Sequence, residues 1–118
     1  MNPYDLAHQL AHALAQSDEY QQFQALKERI NADENAKKMV DAYKKEQFKM
    51  QAAVLSGKPA DPELMENLKR MGLVMQYNQD ISAYLMAEYR MNQLMSDIFK
   101  ILGDAVQIDL GFLENQEG

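Results

Sequence analysis

Apolar residues recur along this chain at intervals of three and four, and nowhere alternate with polar residues over a strand-length run. That spacing gathers them on one side of a helix. In the first segment Tyr4, Leu6, Leu10, Ala13 and Leu14 make the stripe, and Ala7, Ala11 and Ala15 keep it narrow. Asn2 followed by Pro3 reads as an N-cap and a proline at the first helical position, where the missing N–H costs nothing. A second stripe of Tyr20, Phe23, Leu26 and Ile30 follows Ser17, a cap residue with Asp18 and Glu19 at the positive helix end. Asp33 starts a third, carrying Ala36, Met39, Val40, Tyr43, Met50, Val54 and Leu55 largely on one side. Lysines fill much of its remainder, and Glu34–Lys38 and Asp41–Lys45 are acid-then-base pairs four apart.

Ser56-Gly57-Lys58-Pro59 is the sharpest punctuation: a glycine suited to a left-handed cap, then a proline that halts the helix. Asp61 before Pro62 repeats the cap-and-proline start, and Leu64, Leu68, Met71 and Met75 mark a fourth helix, weakened at Gly72. Asn78 is read as the cap of a last, long helix carrying Ile81, Tyr84, Leu85, Met91, Leu94, Met95, Ile98, Leu102 and Val106. The pattern predicts helices over residues 3–15, 18–31, 34–56, 61–76 and 79–109. The expected fold is all-α: an elongated antiparallel bundle of about five helices with a long C-terminal helix. Residues 1–110 are expected to be one helical domain and 111–118 a short flexible acidic tail.

A helix over residues 80–109 would be roughly 45 Å long, against a radius of gyration of about 13 Å for a domain of this size. Its stripe needs cover, and self-association, most simply as a dimer, supplies it. Val54, Leu85, Met91, Met95 and Ile98 are the candidate oligomer interface. The chain has nine methionines, several in or near the last two helices, and methionine adapts to irregular partners as well as to cores.

The formal net charge of −6 disfavours bulk attraction to nucleic acid or anionic membrane. It is unevenly spread, at net +3 over residues 27–58 and −6 over 59–118. Lys37, Lys38, Lys44 and Lys45 in the basic stretch are the candidate partner surface, for a regulatory protein. The same lysines, interleaved with Tyr43 and Phe48, would serve RNA in an alternative reading as an accessory protein of an RNA-processing complex. No signal-peptide pattern opens the chain and no apolar run is long enough for a membrane span, so a cytoplasmic location is expected.

Candidate chemistry is sparse. With no cysteine there is no thiolate nucleophile, disulfide or cysteine-held metal. His8 and His12 share a helical face with Asp5, which leaves a metal-dependent enzyme as an alternative, yet Gln9, Leu10 and Ala11 between them lack the glutamate of an HExxH site. Glu88 sits among Leu85, Met91 and Met95 and reads as an inward acid with a structural base partner. No phosphate loop, dinucleotide fingerprint or nucleophile elbow occurs. The expectation is no enzyme, no cofactor and no metal.

Tyr4-Asp5-Leu6-Ala7, Ser17-Asp18-Glu19-Tyr20, Asn31-Ala32-Asp33, the stretch Tyr84-Leu85-Met86-Ala87-Glu88-Tyr89-Arg90-Met91-Asn92-Gln93-Leu94-Met95, and Asp104-Ala105-Val106 occur in an order that resembles the YlbF/YmcA-like family of small helical bacterial proteins, in its YheA-like UPF0342 branch. The resemblance spans nearly the whole chain. It implies helical hairpins that assemble into homo-oligomers. It also implies regulatory work of the kind relatives do in competence, sporulation and biofilm formation, some of them in a complex that modulates an RNA-degrading endonuclease. Iron–sulfur clusters held by cysteines in part of that complex do not carry over to a chain without cysteine. The resulting expectation is a non-enzymatic adaptor that acts by protein–protein association.

Overall fold

A computed structural model of the protein describes residues 2–59 and 61–108. The regular elements among them are five helices: α1 (Pro3–Gln16), α2 (Asp18–Ala32), α3 (Glu34–Leu55), α4 (Pro62–Met75) and α5 (Gln79–Val106), the longest. The expected tail at 111–118 lies outside the described residues.

Every expected cap forms. The Asn2 side chain accepts from the Tyr4 N–H at 2.8 Å, and Asp61 from the Glu63 N–H at 3.0 Å, each ahead of a proline. Ser17 Oγ donates to the Leu14 carbonyl at 2.7 Å and accepts from the Tyr20 N–H at 3.2 Å, so one hydroxyl ends α1 and starts α2. Asp33 Oδ1 takes the N–H groups of Asn35 and Ala36 at 3.1 and 3.2 Å, and Asn78 Oδ1 takes that of Ile81 at 3.1 Å. These bonds occupy donors that the first helical turn leaves without intrahelical partners.

The exits are equally specific. Gly57 adopts φ +75°, the Lys58 N–H returns to the Ala53 carbonyl at 3.0 Å, and the Gly57 N–H to that of Val54 at 3.1 Å. This is the paired closure that favours glycine after a helix. α5 ends by the same route at a residue without that freedom: Gln107 stands at φ 57° and the Ile108 N–H reaches the Gly103 carbonyl at 3.0 Å. The helix therefore stops at Val106 and not at the expected residue 109, because a left-handed glutamine carries no signal in the sequence.

The chain divides into two compact units, Leu26–Tyr84, and Met1–Ala25 with Leu85–Gly118. In Leu26–Tyr84, α3 and α4 pack against each other as a hairpin. Its core is Ile30 from α2, Ala36 and Val40 one turn apart on α3, Met75 at the end of α4, and Ile81 and Tyr84 from the start of α5. The Lys44 ammonium lies 5.2 Å from the centroid of the Tyr84 ring, within range of a cation–π attraction. Arg29 and Asp80 approach to 3.6 Å, an exposed pair worth at most about 1 kcal/mol.

In the other unit, Ala87 and Gly103 on α5 are the buried residues among those described. The Gln21 side-chain amide donates to the Ala15 carbonyl at 2.7 Å across the α1–α2 turn, and Gln93 donates to Asp97 at 3.1 Å along α5. α1 buries none of its residues.

Candidate interaction surfaces

α1 carries an apolar stripe, yet Tyr4 is 79% exposed, Leu6 is exposed, and Leu10 and Leu14 are only half-buried. On α5, Met86, Tyr89, Ile101, Leu102 and Val106 are exposed, while Met91, Leu94, Met95, Ile98 and Phe99 are half-buried. The unit made by these helices thus leaves much of its apolar surface in water.

The five candidate interface residues come from two helices, four from α5 and one from α3. Met91, Met95 and Ile98 follow at intervals of four and three and share a face of α5. At 3.6 residues per turn Leu85 falls about 140° around the axis from Ile98. Val54 belongs to Leu26–Tyr84, near the end of α3, and is exposed. Its neighbours Phe48 and Leu55 are exposed as well, so the apolar stripe of α3 is covered mainly in its first half.

The four candidate lysines also divide. Lys37, Lys38 and Lys45 are exposed, whereas Lys44 is half-buried and drawn over Tyr84. Among the described residues neither Glu34–Lys38 nor Asp41–Lys45 closes into an ion pair, whereas Glu46 and Lys49 on α3 approach to 3.6 Å. An exposed pair gains a few tenths of a kcal/mol, which the entropy of fixing two long side chains cancels.

Sequence reasoning missed a cleft in the α3–α4 hairpin. It has a volume of about 230 Å³ and is lined by Met39 and Ala42 of α3 and by Arg70, Met71, Val74 and Met75 of α4. Met39 and the two α4 methionines were legible as stripe residues, but their convergence depends on how two helices pair, which periodicity does not encode. Arg70, the charged member of the lining, carries no signal of its own.

His8 and His12 lie exposed on α1, and among the described residues no three His, Asp or Glu side chains are placed to hold a metal ion. Glu88 is half-buried on α5. No helix among the described residues is long and apolar enough to cross a membrane.

Residues 4–107 match the family described as "Control of competence regulator ComK, YlbF/YmcA". The chain is 46% identical over 109 residues to a UPF0342 protein of Symbiobacterium thermophilum, covering 92% of this chain and 97% of that protein. A UPF0342 protein of Halothermothrix orenii is 39% identical over 114 residues, covering 97% and 95%. A solved structure described as "Protein of Unknown Function (DUF964) from Bacillus stearothermophilus" superposes with a TM-score of 0.77 at 21% identity, covering 88% of this chain and 91% of that one, and shares the fold.

Proposed function

Because the chain belongs to the YlbF/YmcA family, in its UPF0342 branch, we propose that it is a cytoplasmic regulatory adaptor that assembles with itself, most simply as a dimer, and acts through protein–protein association. The family is one of non-enzymatic helical proteins, and its description as a control on a competence regulator supports a regulatory role.

The observation that carries the reading is α1. It is an amphipathic helix of 14 residues with none of them buried. A helix of that length is marginal in water unless tertiary packing covers its apolar face. A second copy is the simplest cover, with Met91, Met95 and Ile98 of α5 in the interface and Val54 and Leu85 contributing separately. Residues 1–110 then act as one helical domain with 111–118 as an acidic tail. Lys37, Lys38, Lys44 and Lys45 form the proposed partner surface, with Lys44 serving partly to hold Tyr84.

Affinity capture of the tagged chain from its native cytoplasm tests the adaptor role, set against a Lys37→Glu chain of unchanged sedimentation. A protein recovered at fixed stoichiometry with the unaltered chain and lost with the variant is the expected result. Recovery of nothing but the chain's own copies under every growth condition refutes the role.

A further inference from the structure

We infer that the α3–α4 cleft of one copy receives the C-terminal part of α5 from a second copy, with Ile101 as the anchor. This pairing rests on the self-association proposed above and names the two surfaces that meet.

The cleft is built to take a side chain from a helix. Its floor is apolar, with Met75 only 3% exposed, while Val74 at its edge is 51% exposed. At about 230 Å³ it falls below the roughly 300–1,000 Å³ of typical small-molecule pockets. It lies in a helical hairpin whose backbone groups are already bonded, so main-chain strand addition is not on offer and a helix laid in the groove is the fitting mode.

Charge selects the occupant. Arg70 lines the cleft, and on α3 the positions Lys38, Ala42 and Lys45 follow at intervals of four and three, which sets the two lysines along the stripe that Ala42 contributes to the lining. All three cations are exposed and none is in an ion pair among the described residues. Glu46 on the same stripe is already engaged with Lys49 at 3.6 Å. The complementary surface is at the end of α5. Asp97, Ile101 and Asp104 also follow at four and three, so an apolar side chain 66% exposed stands between two exposed carboxylates. Lys100 lies toward one side of that stripe. The last turn of α5 carries no basic residue, which leaves the negative end of the helix dipole without a local counter-charge. Residues 94–106 of α5 extend about 20 Å and the 14-residue α4 about 21 Å, so the two surfaces match in length.

The test is a pair of charge reversals in the full chain. One chain carries Lys38→Glu, Lys45→Glu and Arg70→Glu; the other carries Asp97→Lys and Asp104→Lys. All five positions are exposed, and unchanged far-UV circular dichroism verifies that both chains fold. Sedimentation at low salt is expected to show each reversed chain associating at least about tenfold more weakly than the unaltered one, and an equimolar mixture of the two recovering association, since mixing makes both contacts complementary again. Ile101→Glu alone is expected to weaken association by a similar factor. An oligomer that persists through every reversal, or a mixture that fails to recover, overturns the pairing and leaves self-association standing. An unaltered chain that sediments as a monomer defeats both.

Discussion

Ile81 offers the sharpest test of how Leu26–Tyr84 is held together. Its side chain is fully buried, and its N–H is taken by Asn78 Oδ1 at 3.1 Å, so the residue joins the start of α5 to the core. Ile81→Ala removes three carbon groups at about 0.8 kcal/mol each, or roughly 2.4 kcal/mol of transfer free energy. Incomplete collapse of the space left behind raises the loss to about 3–4 kcal/mol. Ile81→Val removes one group and costs about 1 kcal/mol. For a domain just above a hundred residues, 1 kcal/mol corresponds to roughly 4 °C, so the alanine variant should melt about 12–16 °C lower and the valine variant about 4 °C lower. Urea unfolding followed by far-UV circular dichroism reads both, at one fixed protein concentration because association adds to apparent stability. An alanine variant less than about 1 kcal/mol below the unaltered chain would refute the placement of Ile81 at the centre of this core, as would equal losses for valine and alanine.

Two further substitutions probe the helices themselves. Asp33 caps α3 through two N–H groups, so Asp33→Ala should cost about 1–2 kcal/mol and Asp33→Asn much less, by the same unfolding assay. Gly72 stands within α4 with nothing within 4 Å of the space a Cβ would fill, so Gly72→Ala should stabilise by about 0.5–1 kcal/mol; a loss instead would mean that another chain closes on that face of α4.

The helices were legible because their ends are written in side chains. Asn2, Ser17, Asp33, Asp61 and Asn78 each bond their own first turn, and four of the five helices end within one residue of the expected position. The end of α5 was not legible, because a glutamine forced to φ 57° looks like any other exposed glutamine. Burial was harder to read. Periodicity marked Val40 and Val54 alike, yet Val40 is 4% exposed and Val54 is 64% exposed, because a stripe records which residues want cover and not which neighbour provides it. The same gap separated Lys44 from the other lysines, since Tyr84 reaches it from a different helix. It also hid the cleft, whose six lining residues come from α3 and α4 together. Family membership was legible too, because the residue runs that carry it, such as Tyr84 to Met95, are continuous along the chain and do not depend on packing.

The proposed function needs a second copy to cover what each copy leaves open. Sedimentation velocity of the unaltered full chain, from low to high micromolar concentration, measures this most directly. Self-association predicts a species at twice 13.6 kDa or a higher multiple, with a concentration-dependent shift where the dimer dissociates. A single species of 13.6 kDa at every concentration would contradict it.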